Sequence, residues 1–423
     1  MPTLEAFSRQ FPDIPPSVML KVDLLRRGVR LGVAPVGTRH YHHHDEQGQR
    51  AVDPRAHMQG SVRFPDGTTV FVAHNDDSPY LVELDPESHD VVLKEGASAE
   101  PITALTPGPR FRWTGARTAQ QTPMAAVFSQ SLGGTCGPIA AFLLRYCEFV
   151  KDDEECRFCS WVRMGKSHEV RPDVADLRES LDAIWKEQGS IGYLAFSGGS
   201  LFNRTKEADA FLRYMEAARE TGLPLPATVA AIQALDRTDS ARLCEAGFDY
   251  ACFSMEVWDE PAWQAVLPGK ARSVGREHWM RCLVDAVSEF GPGRVLCNFV
   301  AGVETAVPGL YASPEAAADA TLEGMRWCYE HGIYPKWAVW ISSGGAAYAG
   351  REPAPLEYYA HLLRGRTRLF GEYDLLVPAT DCRQCLTQSV EGDLAVLDPS
   401  RYALGAAGAC DWEHRHPTAN VAH

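Results

Sequence analysis

No stretch of the sequence approaches the roughly 20 consecutive apolar residues that a membrane-spanning helix requires. The opening residues, Met1-Pro-Thr-Leu-Glu5, carry neither the basic nor the apolar region of a secretory signal. Basic residues are in deficit, with 41 Lys and Arg against 55 Asp and Glu and a formal net charge of −14. An acidic surface repels nucleic-acid phosphates and anionic lipid, so neither nucleic acid nor membrane is expected as a partner. These absences leave a cytoplasmic protein acting on a small-molecule substrate. In that compartment most of its twelve cysteines stay reduced and available to metal.

What is present is an ordinary globular composition, 45% hydrophobic and 23% charged over 423 residues, enough for one large α/β domain with additions at both ends. Residues 1–122 read as a β-rich N-terminal region with one early helix near Val18–Arg26. Short alternating runs such as Ser61-Val-Arg-Phe64 and Thr68-Thr-Val-Phe-Val72 flank the turn Pro65-Asp-Gly67, a hairpin signature. The group His40, His42, His43 and His44 beside Asp45 is a compositional metal-binding tract, read here as a solvated loop. A polar linker, Thr114–Thr122, leads into residues 123–370, where strands alternate with amphipathic helices. The strands are Ala140–Tyr146, Ile191–Phe196, Ala227–Ile232, Tyr250–Met255, Val295–Val300 and Lys336–Ile341. The helices are Pro172–Gln188, Thr205–Thr221, Thr238–Ala246, Glu277–Phe290, Ser313–His331 and Leu356–Phe370. Six strand–helix units call for a parallel sheet with right-handed crossovers, either doubly wound or a partial barrel.

The stretch Arg145 to Trp161 follows the first of these strands and holds Cys147, Cys156 and Cys159 in a C-x8-C-x2-C spacing. Three ligands is the informative number. A structural zinc site normally closes with four protein ligands, whereas a cubane iron–sulfur cluster on three thiolates keeps one iron open. The other cysteines of the barrel region, Cys244, Cys252, Cys282, Cys297 and Cys328, stand singly in apolar or helical surroundings and read as small buried hydrophobes.

This stretch resembles the radical S-adenosylmethionine (SAM) superfamily, whose usual motif is C-x3-C-x2-C with an aromatic residue before the last cysteine. Phe158 fills that place, while the first gap is eight residues rather than three. The resemblance covers about Ala140 to Phe370 and implies a partial (β/α)6 TIM-type barrel, with functional groups gathered at the C-terminal ends of its strands. It implies a [4Fe–4S] cluster on Cys147, Cys156 and Cys159 that binds SAM through its open iron. It also places SAM-binding roles on Gly198, Gly199 and Ser200, where the superfamily has a GGE-like motif. Ser254 and Glu256 fall where the family binds the ribose, and Gly302 near the adenine in a tail resembling GxIxGxxE, with Glu304 a structural hydrogen-bonder. Among Lys270, Arg272 and Arg276, an arginine fork suits the methionyl carboxylate best. Glycine at 198 and 199 is expected to let the SAM amino group approach the backbone. Ser342-Ser-Gly-Gly345 is a further small-residue turn.

Residues 371–423 read as an irregular extension carrying Cys382, Cys385 and Cys410. Their C-x2-C-x24-C spacing is similar to the auxiliary-cluster motif of hydrogenase-maturation tyrosine lyase, so a second iron–sulfur cluster is expected. Zinc completed by Cys136, His414 or His416, or no metal, are the alternatives. The implied function is reductive cleavage of SAM and hydrogen abstraction from a small organic substrate, with a one-electron donor such as flavodoxin or ferredoxin. Rearrangement, C–C cleavage or carbon-fragment transfer in natural-product or cofactor biosynthesis are the outcomes considered. A radical SAM methyltransferase is one alternative and a zinc-stabilised α/β binding protein another. An ordinary barrel hydrolase or aldolase is disfavoured, because no catalytic lysine or carboxylate pair stands out at the strand ends. Aromatic residues near the barrel mouth, among them Tyr193, Phe202, Trp258 and Trp340, suggest an apolar pocket, although most are expected in the core.

Overall fold

The computed structural model describes residues 3–32, 42–44, 50–52, 61–85, 88, 90–96, 98, 100–107, 111–129, 139–159, 172–225, 227–342, 346–373, 375, 378, 380 and 387–393. The N-terminal region begins with helices α1 (Leu4–Gln10) and α2 (Pro16–Arg27), followed by strands β1 (Arg30–Leu31), β2 (His42–His44), β3 (Arg50–Val52), β4 (Ser61–Arg63), β5 (Thr69–Phe71), β6 (Tyr80–Leu84), β7 (Val91–Glu95) and β8 (Pro101–Pro107). β2 and β3 form an antiparallel pair, and the other six make one sheet in the order β1-β6-β7-β8-β4-β5. The expected hairpin is β4–β5, with Ser61 opposite Phe71, and Asp66 closes its turn by accepting the Thr68 main-chain N–H at 2.9 Å.

The barrel region contains α3 (Met124–Val127), β9 (Phe128–Ser129), β10 (Ile139–Leu144), α4 (Val174–Gln188), β11 (Leu194–Gly198), α5 (Arg204–Glu220), β12 (Thr228–Ala231), α6 (Arg237–Glu245) and β13 (Tyr250–Cys252). It continues with α7 (Glu260–Val266), α8 (Pro268–Ser273), α9 (Arg276–Phe290), β14 (Val295–Ala301), α10 (Pro314–Glu330), β15 (Tyr334–Val339) and α11 (Leu356–Glu372). β10 to β15 pair in parallel and in sequence order, with β9 antiparallel on the β10 edge. A doubly wound sheet reverses its strand order at a switch point. This sheet never does, so its winding is that of a barrel left open between its first and last strands.

Four of the barrel helices are capped at their start by a side chain. Asp173 and Asp176 form a capping box on α4, Asn203 accepts from Lys206 N on α5, Asp236 from Asp239 N on α6, and Ser313 from Ala316 N on α10. The stretch expected as a linker is instead fastened to α4. Thr118 and Thr122 donate to the Asp176 carboxylate at 2.5 and 3.0 Å, and Glu187 accepts from the main-chain N–H groups of Arg112 and Trp113.

The short 387–393 segment closes the far side. Val339 N donates to Gln388 O at 3.2 Å, continuing the β15 edge, and Phe71 N donates to Thr387 O at 2.9 Å, tying in the N-terminal sheet. Two ion pairs with fully buried side chains hold it, Lys21–Asp393 at 2.6 Å and Arg366–Glu391 at 2.9 Å. A buried charge stripped of its partner is left uncompensated. Arg366→Met alone is therefore expected to cost about 3–5 kcal/mol. The double change Arg366→Met with Glu391→Leu should cost clearly less, both read from urea unfolding midpoints.

Candidate active site at the strand ends

Successive inward-facing positions define what the barrel encloses. The register aligns Ala195 with Val229, Ala231 with Cys252, Cys252 with Leu296 and Asn298 with Lys336, so Ala195, Ala231, Cys252, Asn298 and Lys336 share one face. Those five positions all remain partly accessible, whereas Phe196, Ala251, Phe253, Phe299 and Trp337, on the other face, are buried. A filled barrel buries both faces under bulky side chains. Here part of one face stays accessible. Burial pushes the Cys252 thiol up to about 11. Cys282, Cys297 and Cys328 are buried as expected, but Cys252 is not a mere core filler. Most of the aromatic residues near the barrel mouth are in the core as expected, with Tyr193, Trp258 and Trp340 buried, whereas Phe202 is 47% exposed.

The cysteine stretch leaves the C-terminal end of β10. Its path is set by β11, because Gly199 N donates to Leu144 O at 2.7 Å and Glu148 N to Ser200 O at 2.8 Å. A Cβ on Gly199 would stand 2.0 Å from Tyr146 O, and one on Gly198 would stand 2.7 Å from Leu144 N. The two glycines are required because the cysteine-bearing backbone passes directly over them. This is a packing reason for glycine at both positions, independent of any ligand. On the other flank, Arg157 N donates to Val266 O at 2.8 Å and Gly269 N to Glu154 O at 3.0 Å. A Cβ on Gly269 would lie 2.6 Å from that same Glu154 oxygen. The loop is thus clamped between β11 and the α7–α8 turn.

Within it, the Cys147 sulfur accepts main-chain N–H groups of Ser200 and Phe149, and Cys156 and Cys159 are joined by a turn in which Cys159 N donates to Cys156 O at 2.9 Å. None of the three cysteines is in a disulfide, all are partly accessible, and Phe158 packs against the core. Burial raises both the Cys147 and Cys156 thiols, and the Lys270 ammonium opposes it at each. Lys270 lies 3.1 Å from Glu256 Oε1 and 4.7 Å from the Trp279 ring centroid. Burial pulls Lys270 down, but Glu256 and the thiols outweigh it and hold the side chain as a cation.

Glu256 itself has φ +68, a left-handed conformation rare for a side-chain-bearing residue and concentrated at functional sites. It is held there by Glu256 N to Asn298 O at 3.0 Å and Val300 N to Glu256 O at 2.8 Å. Ser254, two residues earlier, lies 3.7 Å from the Cys252 sulfur. The two arginines expected at a carboxylate are spent elsewhere. Arg272 is 59% exposed and pairs with Asp152 at 3.0 Å and Glu154 at 2.6 Å, while Arg276 donates to Trp258 O at 2.8 Å and stacks on the Trp258 ring. The cation facing the thiols is Lys270. Lys270 was a candidate in the sequence beside the two arginines, but the short helix α8 that carries it, with Pro268 in its first turn, was not expected.

Beneath the glycine turn, Glu207 accepts Leu201 N at 2.6 Å and binds the Gln233 amide, whose Nε2 also donates to Leu201 O at 2.7 Å. Burial raises the Glu207 carboxyl to about 7. Gly302 ends β14 with φ +95, and Glu304 accepts its N–H at 3.0 Å together with Thr321 Oγ1 at 3.0 Å and the Tyr358 hydroxyl. Glu304 is 2% exposed, and burial raises it from 4.5 to about 7. A carboxyl raised in the folded state contributes stability in full below pH 4.5, and that contribution is lost as pH rises through about 7. Glu304→Gln is therefore expected to remove up to about 3 kcal/mol of this pH-dependent loss, leaving the slope due to Glu207. Chemical denaturation from pH 4 to 8 measures it.

The donor set fits an iron–sulfur cluster better than a single ion. Among the described residues no group of three His, Cys, Asp or Glu side chains is arranged to hold one metal ion. A cluster asks less of the spacing, since each thiolate binds a different iron. N–H groups aimed at a sulfur and a nearby cation both favour the thiolate form a cluster needs. Cys382, Cys385 and Cys410 lie outside the described residues, as do Cys136, His414, His416 and residues 343–345 of the last small-residue turn. No helix of the described residues is long and apolar enough to cross a membrane.

No family model matches the chain. It is 24% identical over 218 residues to the bacteriochlorophyllide c C-7(1)-hydroxylase of Chlorobaculum limnaeum, an alignment covering 47% of this chain and 51% of the hydroxylase. The chain thus spans about half the length of that curated relative. Among solved structures it is similar to HydG, a maturase of the [FeFe]-hydrogenase, at 13% identity and TM-score 0.43, covering 56% of this chain and 51% of that one. It is similar to methylornithine synthase at 14% identity and TM-score 0.43, covering 62% and 68%. It is also similar to a radical SAM methyltransferase from Sphaerobacter thermophilus at 12% identity and TM-score 0.40, covering 73% and 81%. One of these structures is named a radical SAM methyltransferase, the superfamily that the cysteine stretch of this chain resembles.

Proposed function

We propose that this chain is a radical SAM enzyme whose cluster is held by Cys147, Cys156 and Cys159, with SAM seated across Ser254, Glu256 and Gly302 and a small organic substrate in the open lumen. The observation that carries the reading is the clamped loop. Three thiols are presented at the C-terminal rim by a backbone that can run there only because residues 198 and 199 lack side chains. When bound and reduced, the cluster supplies the electron that splits SAM into methionine and a 5′-deoxyadenosyl radical able to take a hydrogen atom from substrate.

The chain's own part is to bind, aim and exclude. Ser200 and Phe149 orient the Cys147 sulfur through their N–H groups, and the second carboxylate oxygen of Glu256 accepts from ribose hydroxyls while the first stays on Lys270. Small inward side chains leave room for substrate beneath the nucleoside, with Cys252, Asn298 and Lys336 as its polar wall. Buried aromatic and aliphatic residues behind that wall keep water from the radical. The curated relative is named a hydroxylase, and replacing a C–H bond begins with the same abstraction. The test is anaerobic incubation of reconstituted protein with SAM and dithionite. Formation of 5′-deoxyadenosine is expected, and its absence from protein containing a full cluster would refute the reading.

A further inference from the structure

Glu256 and Lys270 come from different elements, the end of β13 and the short helix α8, and meet in an ion pair whose side chains are only 12% and 10% exposed. An ion pair this shielded from water keeps most of its field, so its orientation matters to any charge nearby. The orientation is legible. Lys270 adjoins Gly269, whose N–H is bonded to Glu154 O in the cysteine loop, so the ammonium belongs to the element that touches the loop. Its charge opposes the rise of both the Cys156 and the Cys147 thiols.

The pair is also mechanically tied to them. Lys270 follows Gly269, whose N–H is bonded to Glu154 O in the cysteine loop and whose missing Cβ lets the two backbones touch. The Trp279 face beneath Lys270 Nζ fixes the ammonium from the other side. Neither residue can move without the loop.

We propose that the Lys270–Glu256 pair sets the reduction potential of the cluster held by Cys147, Cys156 and Cys159, with Lys270 raising it and Glu256 restraining it. This rests on the cluster reading above and deepens it. A reduced cluster carries one more negative charge than an oxidised one, so a fixed cation beside its thiolates favours the reduced form and a fixed anion disfavours it. Lys270 and Glu256 are thereby positioning residues for electron uptake.

The experiment is an EPR-monitored redox titration, without SAM, of reconstituted wild type, Lys270→Met, Lys270→Arg and Glu256→Gln, with iron and sulfide counted in each. Lys270→Met is expected to lower the reduced-to-oxidised ratio at a fixed potential about tenfold, equivalent to about 59 mV for one electron. Glu256→Gln is expected to shift the ratio the opposite way, and Lys270→Arg to stay near wild type. Omitting SAM keeps any change in its binding out of the readout. Shifts of the same sign, or none, in variants that hold a full cluster would overturn the inference and leave the cluster reading intact. If Lys270→Met fails to hold its cluster, Glu256→Gln decides alone, since an unchanged or lowered ratio there contradicts it. Wild type without iron and sulfide sinks the cluster reading itself.

Discussion

Cys156→Ala will lower iron and sulfide at the barrel site to background and abolish 5′-deoxyadenosine formation, while Cys282→Ala will leave both near wild type. Burial raises the Cys156 thiol, yet it lies within the influence of Lys270 and of its two fellow cysteines. A thiol so placed has little reason to ionise unless a metal replaces the proton, and removing it leaves two ligands for a cluster that needs three from the protein. Cys282 is equally a buried cysteine, but it sits between α5 and α9 beside His278 and Arg204, remote in role from the loop. Iron and sulfide analysis of the two variants, purified anaerobically in parallel, separates ligand from bystander. Equal loss in both would mean that any buried cysteine supports the fold and that none is special.

Gly199→Ala will be the most damaging single methyl group that can be added to the rim. The new carbon would arrive 2.0 Å from Tyr146 O and 2.8 Å from Cys147 N, both backbone atoms with no rotamer to yield. Either the Gly199 N–H to Leu144 O bond breaks or the cysteine stretch lifts from β11. Overpacking of this kind costs about 1–3 kcal/mol or more. Here it falls on the segment that presents the thiols, so iron incorporation should fall along with stability. Gly371→Ala, where nothing lies within 4 Å, is the control and should be nearly neutral. Unfolding midpoints and iron content together check this. A Gly199→Ala protein with normal stability and full iron would show that the loop is not held as described.

Much of the barrel was legible because its punctuation is local. Asp173, Asn203, Asp236 and Ser313 each stand at a helix start and cap it in the way their side chains allow. The hairpin around Pro65-Asp-Gly67 was legible for the same reason. The shortest elements were not. α1, α7 and α8 span seven, seven and six residues, too short for periodicity to emerge. The fastening of Thr118 and Thr122 to Asp176 joins residues more than fifty positions apart, which no local pattern carries.

The site divides along the same line. The cysteine spacing and the strand-end glycines could be read directly, but what the glycines touch could not, since a Gly-Gly turn looks the same whether ligand or backbone fills the missing side chains. Parallel strands buried under helices read as continuous apolar runs. In such runs Ala195, Ala231 and Cys252 are indistinguishable from core, and only the register and their partial accessibility set them on one shared face. The preference for Arg272 or Arg276 over Lys270 followed from guanidinium geometry, and the partners of the three could not be read from the sequence. Arg272 pairs with Asp152, Arg276 donates to Trp258 O and Lys270 pairs with Glu256.

The central claim is that three cysteines hold an iron–sulfur cluster with one iron free for SAM. Electron–nuclear double resonance on the reduced, reconstituted protein with SAM labelled at the methionyl carboxylate and amino nitrogen tests it most directly. Hyperfine coupling of both labels to the cluster is the result the structure predicts. A reduced cluster that shows no coupling with SAM in excess, or protein that carries zinc and no sulfide, would contradict it.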